Sequence, residues 1–223
     1  MKKNICPCLF TIFLLFVQIL VHSYALSQEK VYKQDIDERV RSFLESRRST
    51  WRGWRDMNVP SSDGKLLYDL IVKNNYTKAL EIGTSTGHSG IWIAWALSKT
   101  GGKLITIEID KSRHNEAVAN FKEAGLSDYV DARLADAHEL VKELKGPFDF
   151  VFSDADKEWY TNYFIDIDPK LDVGGCFTAH NVSGRSRYGA GAFLNYVLGL
   201  SNYETTVNRS GGGLSISYKK SSK

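Results

Sequence analysis

Residues 79–90 have the sequence ALEIGTSTGHSG, and this stretch gives the strongest indication of the fold. An apolar strand, Ala79–Ile82, runs into a turn that contains Gly83 and Gly87, and an apolar helix begins at His88. Glycine lets the backbone approach a ligand closely, and the first turn of a helix offers unpaired N–H groups to it. This order predicts the start of a βαβ unit with a ligand at its turn.

Strands and helices continue to alternate on both sides of this stretch. The predicted strands after it are Lys103–Glu108, Val130–Leu134, Phe148–Ser153, Gly175–Ala179, Glu204–Val207 and Leu214–Tyr218. The predicted helices are Gln34–Arg48, Gly64–Asn74, His88–Ser98, Ser112–Ala124, His138–Leu144, Trp159–Ile167 and Ala190–Leu198. Such alternation predicts an α/β Rossmann-like fold: a mainly parallel sheet with helices on both faces. The last two strands have no helix between them, which predicts an antiparallel C-terminal strand.

Length and composition limit the class of protein. The chain has 223 residues, of which 43% are hydrophobic and 25% charged, enough apolar material for one globular domain and an extra segment. A net charge of +3 is too small to predict nucleic-acid binding. Beyond the extreme N-terminus Cys176 is the only cysteine, so the sequence predicts no internal disulfide.

The extra segment lies at the N-terminus. Lys2 and Lys3 precede the apolar run Leu9–Val21, and Ser23 and Ala25 supply the small residues that a signal peptidase recognises. We therefore expect residues 1–25 to be a signal peptide, or a membrane anchor if they are not cleaved, and residues 26–223 to be the domain. Both alternatives place the protein outside the cytosol or on a membrane.

Two acidic residues follow the glycine turn at positions that suit an adenosyl ligand. Glu108 ends the next strand about 20 residues after the turn, where a carboxylate accepts hydrogen bonds from ribose hydroxyls. Asp136 follows the third strand and is expected to accept from an adenine amino group, to cap the helix at His138, or both. The third glycine of the dinucleotide fingerprint is missing, which favours an adenosyl ligand other than NAD.

From Met57 to Lys219 the chain resembles the cation-dependent class I O-methyltransferases, the group that contains catechol and caffeoyl-CoA O-methyltransferases. The resemblance rests on the order and spacing of the stretches MNVPSSDGKLLYDLI, ALEIGTSTGHSGIWIA, LITIEID, FDFVFSDADKEWY, AHNV and GLSISYKK. It implies S-adenosylmethionine as the cofactor and methyl transfer to a hydroxyl of a small, catechol-like phenol. Relatives of this kind are often dimers, so a homodimer is one open oligomeric state.

The resemblance also implies which residues contact the cofactor. Met57 and Val59 would flank it, and Glu81, Gly83 and Ser89 would hold its methionine end. Glu108 would bind the ribose. Asp136 and Ala137 would border the adenine, and Asp154 would also belong to the cofactor-binding residues.

The same resemblance places the reaction at Asp154, Lys157, His180 and Asn181. In the family, two aspartates and an asparagine hold a divalent cation, and a lysine acts as general base. Asp154 matches the first aspartate, Asn181 the asparagine and Lys157 the base. A phenol has a pKa of about 10, so a nearby cation and a base are needed to make it nucleophilic at pH 7.

One position departs from the family pattern, because His180 stands where the second aspartate is expected. Mg²⁺ prefers oxygen ligands, whereas imidazole suits softer metals. Three outcomes are open: the site of Asp154, His180 and Asn181 holds a softer metal, binds Mg²⁺ weakly, or lacks a metal and uses His180 as the base.

Two functions from other classes remain as alternatives. Gly83–Gly87 matches the nucleophile-elbow pattern, and Asp154 and His180 follow in the order of a hydrolase triad, so Ser85 would be the nucleophile of a secreted serine hydrolase. The other alternative is a protein that keeps the fold and binds the cofactor without catalysing a reaction.

Overall fold

The structure is a computed structural model that describes residues 7–48, 58–182, 190–209 and 212–222. Its helices are α1 (Pro7–Arg48), α2 (Ser61–Asn74), α3 (His88–Thr100), α4 (Lys111–Glu123), α5 (Ala137–Glu143), α6 (Tyr160–Ile167) and α7 (Ala190–Leu198). Its strands are β1 (Lys78–Ile82), β2 (Lys103–Glu108), β3 (Val130–Leu134), β4 (Phe148–Ser153), β5 (Leu171–His180), β6 (Tyr203–Asn208) and β7 (Leu214–Lys219).

The strands form a seven-stranded sheet in the order β3-β2-β1-β4-β5-β7-β6. The five strands from β3 to β5 are parallel neighbours, and β7 pairs antiparallel with both β5 and β6. The strand order reverses between β1 and β4, so the ends of these strands open a crevice where open α/β sheets bind ligands. This topology confirms the predicted Rossmann-like class and its antiparallel C-terminal strand.

Helices cover both faces of the sheet because the strand side chains alternate between two apolar clusters. On β4, Phe150 and Phe152 pack with α1, α2 and α3, whereas Val151 packs on the opposite face with α6 and α7. On β1, Ala79 and Leu80 divide in the same way. Burial of a side chain of this size stabilises the fold by about 1.5–3 kcal/mol, so the two clusters hold the ends of the strands rigidly.

The N-terminal helix α1 is longer than the predicted helix Gln34–Arg48. It begins at Pro7 and therefore includes Ala25, the last residue of the predicted signal peptide. Its C-terminal half packs against the core through Ile36, Val40 and Phe43. Apolar side chains in the preceding part are exposed, among them Leu15, Ile19, Leu20, Val21 and Leu26. Within the described residues, no helix combines the length and the apolar character that crossing a membrane requires. The signal peptide or anchor in residues 1–25 stays a prediction.

Helix α2 begins three residues earlier than predicted, and this places an acidic residue in the interior. The carbonyl of Pro60 accepts hydrogen bonds from the N–H groups of Asp63 and Gly64, both at 3.0 Å, which closes the first turn. Gly64 is a packing position, since a Cβ there would lie 2.2 Å from a ring atom of Trp92. The close packing of α2 on α3 buries Asp63, which is 1% exposed.

Candidate active site

A cavity of about 990 Å³ opens at the carboxyl ends of the parallel strands. Its wall is formed by the residues that follow β1 to β5, which arrive there because parallel strands end at the same edge of the sheet. The predicted site residues in this wall are Gly83, Ser89, Glu108, Asp136, Ala137, Asp154, Lys157, His180 and Asn181. The fold therefore brings together residues that lie up to 98 positions apart in the sequence (Gly83 to Asn181).

The glycine turn after β1 crosses directly over the end of β4. Gly83 has a φ of +99°, and a Cβ at this position would lie 2.9 Å from the backbone carbonyl of Asp154. A side chain there would be strained both by its backbone conformation and by this contact. Only glycine lets the turn and Asp154 approach this closely, which joins the two halves of the cavity.

Glu108 at the end of β2 supports the same turn. One carboxylate oxygen accepts from the N–H of Ser85 at 2.7 Å, and the other accepts from the N–H of Asp110 at 2.9 Å. The side chain of Arg113 donates to the Ser85 hydroxyl at 3.0 Å. Because each carboxylate oxygen has further lone pairs, Glu108 can still accept hydrogen bonds from a ligand in the cavity.

Glu81 lies beneath the turn and is fully buried. The Thr106 hydroxyl donates to its Oε2 at 2.5 Å, whereas its Oε1 has no hydrogen-bond partner among the described residues. Burial raises the pKa of Glu81 to about 8; hydrogen bonds from Ser89 and Thr106 oppose this rise, and the nearby carboxylates Asp154 and Glu108 add to it. A cationic group bound above Glu81 would stabilise its carboxylate.

Asp136 acts as the N-cap of α5, where its carboxylate accepts from the N–H of His138 at 2.9 Å. It also lines the cavity together with Ala137, so both roles predicted for it are compatible with its position. The ring of His138 packs against Trp159 with 4.5 Å between centroids and a 34° angle between the ring planes, and its Nε2 lies 3.4 Å from Oδ2 of Asp156. On this side of the cavity, the carboxylate of Asp136 lies beside the aromatic rings of His138 and Trp159.

Of the two residues predicted to flank the cofactor, Met57 lies outside the described residues and Val59 is buried. The carbonyl of Val59 accepts from Nδ1 of His88 at 2.8 Å, and Trp92 donates to Nε2 of His88 at 3.2 Å. Burial lowers the pKa of His88 to about 4, although the hydrogen bond to Val59 opposes this shift. A neutral His88 therefore fixes the segment that leads into α2.

The second half of the cavity contains Asp154, Lys157 and His180. The ammonium group of Lys157 contacts Oδ1 of Asp154, and Nδ1 of His180 lies 3.3 Å from Oδ2 of the same carboxylate. The other ring nitrogen of His180, Nε2, lies 2.9 Å from Oδ2 of Asp63 on α2. Asp154, Lys157 and His180 thus lie in contact with one another, and Asp63 joins them.

His180 is held firmly in this position. Its backbone carbonyl accepts from the hydroxyl of the buried Tyr160 at 3.1 Å, and its side chain is only 5% exposed. Burial alone would lower the pKa of His180, but the carboxylates of Asp154 and Asp63 outweigh it and raise the pKa. The ring therefore lies between two acidic groups that both attract positive charge.

The sequence did not indicate Asp63, Arg113 or Asn58 as site residues. Asp63 is 117 positions from His180, and its neighbours predicted only the start of a helix. Arg113 supports the turn from α4, and the amide of Asn58 donates to the Thr86 hydroxyl at 2.9 Å. No sequence pattern connects these residues, since their meeting depends on how α2 and α4 pack.

The geometry does not favour the serine hydrolase. Ser85 accepts a hydrogen bond from Arg113, whereas both ring nitrogens of His180 face carboxylates, Asp63 and Asp154. A triad histidine needs one nitrogen directed at the serine hydroxyl. The position of His180 leaves neither nitrogen for that contact.

Comparison with known proteins agrees with this fold and shows the family of the chain. The model of the O-methyltransferase family matches residues 32–185, more than two thirds of the chain, and the chain belongs to this family. It is 41% identical over 116 residues to a catechol O-methyltransferase of Niastella koreensis, covering 50% of this chain and 52% of that protein. It is 32% identical over 127 residues to a caffeoyl-CoA O-methyltransferase of Eucalyptus globulus, covering 55% and 51%.

A solved structure is similar over a larger part of the chain. The O-methyltransferase TomG from Streptomyces achromogenes, in complex with S-adenosylmethionine, superposes with a TM-score of 0.68 at 27% identity, covering 75% of this chain and 83% of that one. The chain spans about half the length of the curated relatives named above. These comparisons support neither the hydrolase nor the inactive binding protein.

Proposed function

We propose that this protein is an S-adenosylmethionine-dependent O-methyltransferase that methylates a hydroxyl of a small phenol, with a catechol as the preferred class. The observation that carries the proposal is the shared cavity: the glycine turn with Glu108 and the pair of Asp154 and Lys157 open into the same space. A cofactor held by the turn would present its methyl group to an acceptor beside Lys157. The relative from Niastella koreensis, a catechol O-methyltransferase, supports the substrate class.

The cofactor would lie across three strand ends. Glu108 is placed to accept from the ribose hydroxyls, and Asp136 and Ala137 are placed to border the adenine. Glu81 is placed beneath the methionine end, where the ammonium group would stabilise its carboxylate. TomG binds the same cofactor with the same fold, which supports this assignment.

The acceptor would lie against Lys157 and Asp154. In the proposed step, Lys157 first releases a proton to solvent, and its neutral amine then takes the phenol proton. A lone pair of the phenol oxygen forms the new bond to the methyl carbon, and the sulfur–methyl bond breaks. The bonding electrons stay on sulfur, so the products are the methyl ether and S-adenosylhomocysteine. General base catalysis of this kind contributes about 10²–10⁴ in rate.

Calorimetry of the full chain with S-adenosylhomocysteine tests the proposal. We expect micromolar binding that Glu108→Ala abolishes and that the control Glu116→Ala, an exposed residue of α4, leaves unchanged. Radiolabelled methyl transfer to catechol, with resorcinol as the control, then tests the substrate class. Absence of cofactor binding in a folded protein would overturn the proposal, and equal transfer to resorcinol would overturn its preference for neighbouring hydroxyls.

A further inference from the structure

Asn120 on α4 is a buried polar residue in contact with the glycine turn after β1. It is 1% exposed and belongs, with Ala117 and Phe121, to the face of α4 that packs into the core. Its amide nitrogen Nδ2 donates to the backbone carbonyl of Thr86 at 2.8 Å. Burial of an amide is unfavourable unless the amide is hydrogen-bonded, so a polar side chain on this apolar face indicates a role at the turn.

The turn itself needs support from outside, because its backbone is strained. Thr86 lies between Ser85, which has a φ of +49°, and Gly87, which has a φ of +95°. A positive φ is unfavourable for a residue with a side chain such as Ser85, and it persists only where surrounding contacts hold it. These contacts include the Glu108 carboxylate, 2.7 Å from the N–H of Ser85, and the Asn120 amide at the carbonyl of Thr86. The shape of the turn therefore depends on Asn120 as well as on Glu108.

The orientation of the Asn120 amide is set by the end of α1. Its oxygen Oδ1 accepts from a guanidinium nitrogen of Arg47 at 2.8 Å. A guanidinium can only donate and a backbone carbonyl can only accept, so one amide orientation satisfies both partners, with Oδ1 towards Arg47 and Nδ2 towards Thr86. Arg47 also lies 3.4 Å from a carboxylate oxygen of Glu123, and its guanidinium carbon lies 5.2 Å from the centre of the Phe43 ring.

We propose that Asn120 is a positioning residue of the cofactor turn and that Arg47 sets its orientation, so that the C-terminal end of α1 acts in cofactor binding. Neither residue belongs to the part of the cavity wall that the structure describes, and both act through Thr86. Docking of this end of α1 and binding of S-adenosylmethionine therefore favour one another, because both stabilise the same turn. The inference rests on the proposed function for the identity of the ligand, whereas the dependence of the turn on Asn120 can be measured without a ligand.

Calorimetry of the full chain with S-adenosylhomocysteine tests the contact at the turn. Asn120→Asp has nearly the same size and keeps an acceptor for Arg47, but its carboxylate has no hydrogen to donate to Thr86. We expect binding to weaken by about tenfold, because one hydrogen bond that holds the binding conformation is lost. The control Asn115→Asp, at an exposed position of α4, should leave the affinity within about twofold.

Replacement of Arg47 tests the contribution of α1. Arg47→Met keeps an apolar stem against Phe43 and removes the donor to Asn120, so we expect a smaller loss of affinity, about three- to fivefold. Arg47→Lys restores a donor and should recover most of this loss. The control Arg41→Met is on the same helix, where the guanidinium lies over the ring of Trp95, and it should not affect binding.

Hydrogen exchange of the cofactor-free protein, followed by mass spectrometry, tests the turn directly. The peptide that contains residues 85–87 should exchange about fivefold faster in Asn120→Asp than in the wild type, and peptides from β6 and β7 should be unchanged. In methyl-transfer kinetics, Asn120→Asp should raise the KM for S-adenosylmethionine by about tenfold. It should leave kcat at saturating cofactor within about twofold, because the residues around Lys157 are not altered.

The outcomes separate a positioning role from a structural one. A lower melting temperature with unchanged affinity, KM and turn exchange in Asn120→Asp would overturn the proposal and confine Asn120 to packing. Unchanged affinity in Arg47→Met would overturn the part assigned to α1. Failure of the wild type to bind S-adenosylhomocysteine would contradict the proposed function, and the exchange of residues 85–87 would then still decide whether the turn depends on Asn120.

Discussion

The two halves of the cavity are built in different ways. The cofactor half consists of a glycine turn, two helix starts and acidic residues at the ends of successive strands, and its hydrogen bonds join residues of neighbouring strand ends and turns. The acceptor half combines Asp154 and Lys157 after β4 with His180 at the end of β5 and Asp63 from α2. The first half is held mainly through backbone groups, and the second through side chains that come from separate elements.

This difference in construction predicts that the two halves respond differently to amino-acid substitution. The cofactor half depends on backbone conformation, and a positive φ at Gly83 leaves little freedom for substitution. The acceptor half depends on side chains that arrive on separate elements. His180 and Asp63 are such a pair, since the buried carboxylate of Asp63 lies 2.9 Å from the ring of His180.

Replacement of Lys157 should lower the rate that depends on the acceptor half and leave the cofactor affinity of the other half unchanged. Lys157→Met removes the proposed base but leaves the turn and Glu108 in place, so we expect kcat to fall by about 1000-fold while the affinity for S-adenosylhomocysteine stays within about threefold. Methyl-transfer kinetics and calorimetry measure the two quantities. The exposed Lys142→Met is the control. A loss of cofactor affinity equal to the loss of rate would show that the halves are not separate.

Replacement of Gly83 should impair both halves together. The added Cβ of Gly83→Ala would meet the backbone of Asp154 at 2.9 Å, so we expect the affinity for S-adenosylhomocysteine to fall by about 30-fold, equivalent to about 2 kcal/mol. Gly101→Ala has a similar positive φ but nothing within 4 Å of its Cβ, and it should lower stability without affecting binding. Equal binding losses in both variants would argue against a specific contact.

The pH dependence of cofactor binding should report on Glu81 in the cofactor half. Its pKa of about 8 lies above the value of about 4.5 in an unfolded chain, so its protonation stabilises the fold at low pH and this contribution is lost as the pH rises towards 8. A bound ammonium group favours the carboxylate, so affinity should rise by about 10-fold between about pH 6 and pH 8.5. Glu81→Gln should bind more weakly and remove this slope in calorimetry. A wild-type affinity that falls with pH would contradict the assignment.

The smallest effect is expected at Asp136, which has two roles in the cofactor half. Asp136→Ala removes the N-cap of α5 and should lower stability by about 1 kcal/mol, and the loss of its contact with the adenine should weaken S-adenosylhomocysteine binding by about fivefold. Asp136→Ser keeps a capping oxygen but shortens its reach, so it should weaken binding without lowering the melting temperature. If Asp136→Ser bound the cofactor product as tightly as the wild type, the role of Asp136 would be confined to the helix.

The accuracy of the sequence predictions differed between local and distant features. The strands β2, β3 and β4 and the helix α7 have the predicted bounds, because alternating or periodic apolar residues and flanking glycines define such elements within a few positions. The start of α2 was missed because Pro60 and Gly64 are typical of loops, whereas here Pro60 caps the helix and Gly64 packs against Trp92. Strand β5 is longer than predicted, because Leu171 pairs with Phe148 across an irregularity in the register.

The sequence by itself determined the fold class, the glycine turn and the position of Glu108, since these follow from local patterns and from the common edge at which parallel strands end. Asp154 and Lys157 were indicated by the resemblance to the family. Only the tertiary structure decided the surroundings of His180. The packing of α2 on α3 carries Asp63 to a residue 117 positions away. A contact of this kind leaves no periodic or local signal, because it depends on the three-dimensional meeting of two elements that are each explained by their own apolar residues.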